Sequence, residues 1–162
     1  MKIGIISDSH DHLENLHKAV AHFRERGVER VVHAGDFVSP PSLLPLEGLA
    51  VYGVYGNNDG ERVGLTRVFA KLGGQLADEV LEMDLPSGRM ALYHGTVQAV
   101  LNALILSQTY TLVVTGHTHR VTDRQEGKTR VLNPGTLHGF NQGATVMVYD
   151  VVQDQVELIS LS

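Results

Sequence analysis

Five short stretches place metal-binding side chain types along the chain. SDSHDH carries Asp8 and His10, HAGD carries Asp36, and GNND carries Asn57 followed by Asn58. Further on, YHG carries His94 and TGHTH carries His117 and His119. Carboxylate, amide oxygen and imidazole are ligands for divalent first-row metals such as manganese, iron, zinc, cobalt or nickel. Two aspartates, one asparagine and four histidines are too many for one catalytic ion, which must keep a coordination position open. They suit two ions that share a bridging carboxylate. Such a pair, about 3.5–4 Å apart, activates water and clamps the oxygens of an in-line displacement at phosphorus. The first stretch points the same way. A glycine-rich turn after a first strand would cradle phosphate on backbone N–H groups. Asp8 in that place repels phosphate unless positive charge lies between the two.

Those residues can act together only if the elements around them bring them to one edge. KIGIIS reads as a strand, and Asp11 with Glu14 resembles a capping box ahead of the helical stripe Leu13, Leu16, Val20, Phe23. VERVVHAGD and LAVYGVYGNND each read as strand then turn, and a second stripe, Leu65, Val68, Phe69, Leu72, stops at Gly73-Gly74. VLEMDLPSGRMALYHG reads as a hairpin about Pro86-Ser87-Gly88. Val97, Val100, Leu101, Leu104 and Ile105 make a third helix, followed by the strand TLVVTG. The remainder, TRVLNPG, ATVMVYDVV and QVELISL, is strand after strand and predicts an antiparallel meander after parallel βαβ units. The fold class is therefore α/β, a mixed sandwich with more than one sheet layer. All seven candidates fall at C-terminal ends of predicted strands, the edge where open α/β sheets bind ligands.

Composition bounds the function. A chain of 162 residues with 43% hydrophobic content is the size of one soluble domain. No apolar run is long enough to span a bilayer, and no charged leader with a small-residue cleavage site precedes the first strand. There is no cysteine, so disulfides and thiolate metal sites are excluded. Together these features predict a cytoplasmic protein. The net charge of −5 and the lack of any basic run argue against a general nucleic-acid coat. A dinucleotide-binding oxidoreductase lacks its G-x-G-x-x-G turn, and a serine hydrolase lacks its G-x-S-x-G elbow.

In order, Asp8-Ser9-His10, Gly35-Asp36, Gly56-Asn57-Asn58-Asp59, His94-Gly95 and Gly116-His117-Thr118-His119 resemble the calcineurin-like metallophosphoesterase superfamily. Within it, the chain is similar to the small bacterial and archaeal phosphodiesterases. That resemblance implies a two-sheet β-sandwich flanked by helices, a four-layer α/β/β/α fold, in one domain over residues 1–162. It implies a metal-dependent phosphodiesterase with two divalent ions per chain, manganese first, with iron, zinc, nickel or cobalt as alternatives. By motif, one metal takes Asp8, His10, Asp36 and His119, and the other takes Asp36, Asn57, His94 and His117, with Asp36 as the bridge. The partner is a small phosphate ester, with no membrane and no strong nucleic-acid signal, and a homo-oligomer is left open. The superfamily also includes a retromer coat subunit that works mainly by protein contacts. A non-catalytic scaffold is therefore the alternative, and the complete ligand set argues against it.

One departure from the pattern bears on mechanism. Many members read G-N-H-D, with the histidine as proton donor to the leaving group, where this chain has Asn58. An amide has no proton to give near neutral pH, yet it can hydrogen-bond a phosphate oxygen, so Asn58 is the candidate catalytic and substrate-binding residue. Asp59 reads as free to orient a histidine placed at position 58. Many members also read H-G-H where this chain has His94-Gly95-Thr96. His12, His17 and His22 read as solvated or packing residues of the first helix, Asp11 as its cap, and His33 as a core or supporting residue. Asn133, in an NPG turn, and His138, in GTLHGF, are left open as pocket-lining residues.

Overall fold

Strand ends meet at one edge only if the strands run parallel, and the pairing delivers this twice. The computed structural model describes residues 1–161. Its strands begin with β1 (Lys2–Ile6), β2 (Arg30–His33), β3 (Ala50–Val54), β4 (Gln75–Ala77), β5 (Val80–Leu85) and β6 (Gly88–Tyr93). β7 (Leu112–Val114), β8 (Val121–Glu126), β9 (Thr129–Pro134), β10 (Thr145–Asp150) and β11 (Gln155–Ser160) follow. The helices are α1 (Leu13–Glu25), α2 (Arg62–Lys71) and α3 (Gln98–Leu106), with a 3₁₀ helix at Pro40–Leu46.

One sheet has the order β11-β10-β1-β2-β3-β4 and the other β5-β6-β7-β9-β8. β1, β2, β3 and β4 are mutually parallel, as are β6, β7 and β9. Between the sheets lies a core of Ile3, Ile5, Val32 and Val54 from the first and Met90, Leu92, Leu112 and Val114 from the second. The outer face of the first sheet packs on α1, α2 and the 3₁₀ helix through Phe23, Phe37, Leu43, Leu65 and Phe69. The outer face of the second packs on α3 through Leu101 and Ile105. The inner strands β1, β2, β6, β7 and β9 are buried on two faces, which is why they read as near-continuous apolar runs. The four layers match the expected α/β/β/α sandwich.

Three local readings are corrected. Asp11 does not cap α1. His12 is the N-cap and its Nδ1 accepts the Asn15 N–H at 3.2 Å, while Asp11 Oδ1 accepts from Ser39 N and Oγ at 2.9 and 2.6 Å. The tail is not a meander. β9 lies parallel to β7 in the second sheet, whereas the β10–β11 hairpin crosses to the first and pairs antiparallel with β1. β8, VTDRQE, had no strand signal because it is a polar edge strand with little apolar alternation. The first helix is otherwise as expected. His17 is exposed, and His22 lies within reach of Glu25.

His33, at the end of β2, is fully buried. Its Nδ1 accepts the Gly35 N–H at 3.3 Å, so the proton sits on Nε2, which donates to Ser9 Oγ at 2.9 Å. One neutral imidazole thus ties the turn after β1 to the turn after β2. Burial pushes its pKa down to about 3. The unfolded chain binds a proton at His33 below about 6.5 while the folded one does not until much lower pH. Stability from this group is therefore complete above the unfolded value and falls as pH drops toward 3. Urea unfolding of metal-free protein between pH 6 and 4 should show a steeper loss for the wild type than for His33→Gln, by up to about 1.4 kcal/mol per pH unit. Equal slopes would contradict a buried neutral imidazole.

Candidate metal centre

The turns after β1, β2, β3, β6 and β7 converge, and their backbones are unusual. Asp8, His10, Asp36, His117 and His119 have φ of 52°, 40°, 59°, 64° and 58°. L-residues rarely adopt this left-handed region, and each instance costs on the order of 1–3 kcal/mol in a strained case. Cross-turn hydrogen bonds hold them there. Asp8 N donates to Gly35 O at 3.0 Å and His10 N to Asp36 O at 3.1 Å, while His117 N donates to Asp8 Oδ2 at 3.0 Å. The glycines permit the close approach. Gly35 has φ of 98°, and a Cβ there would stand 2.7 Å from Gly56 N and 2.8 Å from His94 Nδ1. A Cβ on Gly56 would overlap Asp36 Oδ1.

Asp36 is the centre of the arrangement. Its Oδ2 lies 3.5 Å from His10 Nε2 and 3.5 Å from His94 Nε2. The Asn58 backbone N–H donates to its Oδ1 at 2.9 Å and Asn58 Nδ2 donates to its Oδ2 at 2.8 Å. Burial raises the Asp36 pKa, but the contacts from His94 and Asn58 outweigh it and hold the carboxyl well below the usual range. Asp8 is fully buried, with Oδ1 at 3.1 Å from His119 Nε2 and 4.0 Å from His10 Nε2, and its Oδ2 also accepts the Ser7 hydroxyl.

His94 is buried, and its Nδ1 lies 2.6 Å from Ala34 O. A carbonyl only accepts, so Nδ1 carries a proton, and Nε2 is the ring nitrogen turned inward, 3.1 Å from Asn57 Oδ1. A metal-ligating histidine is held in this way, donating its other N–H to a carbonyl. Burial lowers the His94 pKa, but the Asp36 carboxylate outweighs it and raises it overall. His117 packs edge-on to His94, with ring centroids 5.1 Å apart.

These residues fit divalent cations. His10 Nε2 is the one buried side-chain polar atom among the described residues with no hydrogen-bond partner, although carboxylate oxygens lie 3.5 and 4.0 Å away. Such an orphan needs an explanation, and a cation shared with Asp8 and Asp36 supplies one. Donor atoms of Asp8, His10 and Asp36 all lie within 4.8 Å of one another. The structure thus brings all seven sequence candidates and Asn58 to one site.

Some supporting residues were misread or left open in the sequence. Asp59 is not free. It is buried, and its carboxylate accepts N–H groups from Asp36, Gly56 and Val38 at 2.9, 2.7 and 2.8 Å, which locks the β2 and β3 turns together. Burial raises its pKa against those bonds. Asn133 is buried and braces the GHTH turn, with Nδ2 donating to Gly116 O at 2.8 Å and Oδ1 accepting from Gly135 N at 2.9 Å. His138 packs edge-on to His10 and His119, at 4.9 and 5.2 Å between ring centroids. Burial, then His10 and His119, lowers its pKa.

Known proteins share both this sequence and this fold. The calcineurin-like phosphoesterase superfamily domain matches residues 1–154. A phosphodiesterase of Methanocaldococcus jannaschii is 36% identical over 165 residues, covering 99% of each chain. A solved archaeal phosphodiesterase superposes with a TM-score of 0.94 at 34% identity, again covering 99% of each chain. Vps29 of Entamoeba histolytica, solved with zinc, superposes with a TM-score of 0.68 over 100% of each chain at 18% identity, a likeness of fold alone. With a match that spans nearly its whole length, the chain belongs to the calcineurin-like phosphoesterase superfamily.

Proposed function

We propose that the chain is a metal-dependent phosphodiesterase with two divalent cations, one held by Asp8, His10, Asp36 and His119 and the other by Asp36, Asn57, His94 and His117. The observation that carries this reading is the position of Asp36, whose Oδ2 stands equally close to His10 on one side and His94 on the other. When bound, the cations supply a nucleophile from water at neutral pH and neutralise charge on the phosphoryl oxygens.

The chain's own residues do the rest. Asp8 and Asp36 bring two negative charges against about +4 from two dications, so the loaded site attracts an anionic ester. Ala34 O fixes the His94 tautomer, and Asp59 fixes the backbone that presents Asp36 and Asn57. Asn58 Nδ2 uses one N–H on Asp36 and keeps the second for a phosphoryl oxygen. It holds no proton to give to a leaving alkoxide. A positioned general acid is worth about 10²- to 10⁴-fold, so the protein should depend on leaving-group quality. With a diester carrying about one negative charge and a monoester nearly two, a modestly positive site without an imidazolium donor suits the diester. The scaffold alternative gives no reason for all seven candidate ligands to be present, five of them held at positive φ.

Elemental analysis of protein reloaded with manganese should approach two ions per chain, and chelation should abolish turnover. Outer-shell partners of a metal are worth about 10- to 100-fold. Asp36→Asn, at the shared ligand, should cost at least that in activity and reduce bound metal, while His17→Ala changes neither. Full activity with one ion, or an Asp36→Asn protein with normal metal and rate, would contradict the assignment.

The role of Asn58 is read with matched nitrophenyl mono- and diesters. The native protein should cleave the diester faster. Asn58→His should raise the rate on monoesters or poor leaving groups more than on the activated diester. A native preference for the monoester that the variant leaves unchanged would remove Asn58 from the chemistry.

A further inference from the structure

His138 stands apart from the metal-ligand motifs, yet the fold holds it firmly against them. Its backbone N–H donates to Asp8 O at 3.2 Å, and the preceding Leu137 N–H donates to Ser7 O at 3.0 Å. Asn15 Nδ2 donates to Leu137 O at 2.9 Å and Thr136 Oγ1 to Asp8 O at 3.1 Å. The segment after β9 is therefore stitched along the turn that carries Asp8 and His10. A ring nitrogen of His138 lies within 4.8 Å of one from His10 and one from His119. Three such histidines invite the reading that all three bind metal.

The hydrogen bonds sort them differently. A ligating imidazole donates one N–H to an acceptor and turns a lone pair to the metal, and His94 has such an acceptor in Ala34 O. His138 is the reverse. Its Nδ1 accepts the Phe140 N–H at 2.9 Å, so the neutral ring carries its proton on Nε2. Coordination through Nε2 would put a proton on Nδ1, facing the Phe140 N–H and breaking that bond. The nitrogen left for the site is a donor.

We propose that His138 is a substrate-binding residue, which donates its Nε2–H to a non-bridging oxygen of the phosphodiester and is not a metal ligand. The proposal rests on the phosphodiesterase reading. It places a neutral imidazole donor on the His10–His119 side of the site, where the donor at Asn58 is only an amide engaged with Asp36.

The test uses manganese-reloaded protein, orthophosphate as a competitive inhibitor of bis-nitrophenyl phosphate cleavage, and elemental analysis. His138→Phe keeps a ring against His10 and His119 but removes the donor. It should keep wild-type metal content and weaken orthophosphate inhibition about tenfold or more, the size of one hydrogen bond to a charged oxygen. His138→Gln, whose amide can present N–H near the same place, should recover part of that loss. Loss of one metal in His138→Phe would make the residue a ligand and overturn the proposal. So would unchanged orthophosphate inhibition in both variants. A wild-type protein that neither binds manganese nor cleaves the ester overturns the phosphodiesterase reading and this proposal with it. A wild type that does both, beside an unaffected His138→Phe, overturns this proposal alone.

Discussion

Two buried carboxylates lie at the seam between the sheets with no lysine or arginine beside them. The ion-pair contacts of Asp8 and Asp36 among the described residues are all with histidines, at His10, His94 and His119. Burying a charge is expensive unless it is paired or coordinates a metal. Here the compensation comes from neutral donors and histidines, Asn58 and His94 at Asp36 and the Ser7 hydroxyl, the His117 N–H and His119 at Asp8, while His10 Nε2 is left without a hydrogen bond. The rest of the structure follows from keeping these two buried carboxylates in place. Parallel strands bring them to one edge, glycines let the turns touch, and Asp59 and His33 lock those turns to each other.

The same constraint accounts for the backbone. A turn that must aim Asp8 and His10 inward within three residues cannot stay in the ordinary regions of φ and ψ. The strain is tolerated because each turn is tied to its neighbour by main-chain bonds and by the His33 and Asp59 side chains. Those supports lie in the first sheet and its turns, while His94, His117 and His119 come from the second. The inter-sheet core of Ile5, Val32, Leu92 and Val114 thus supports the site, because it sets the distance between the two halves of the candidate set.

The sequence made the candidate set legible because each residue follows a strong apolar run, and a polar side chain after a buried strand must lie at the sheet edge. It did not reveal the supports. Asp59 sits two residues after Asn57 and reads as free to orient a side chain at position 58, and only the folded chain shows its three backbone partners. His138 carries no motif, and its place beside His10 depends on pairing between segments more than a hundred residues apart. The fold shows the same division. β1, β2 and β3 were plain from local pattern, whereas β4 is three residues long and β8 is polar on both faces. Nothing local in β10 and β11 says that they leave their neighbour β9 to close the first sheet, since strand patterning sets which face is buried and not which strand is the partner.

In the proposed site Asp36 is shared between two cations. Electron paramagnetic resonance of the manganese-loaded protein addresses it directly, because two Mn²⁺ ions bridged by one carboxylate are exchange-coupled and isolated ions are not. The wild type should give a coupled multiline spectrum that gives way in Asp36→Asn to the six-line signal of isolated Mn²⁺. A six-line signal in the fully loaded wild type, or a coupled spectrum that survives Asp36→Asn, would contradict it.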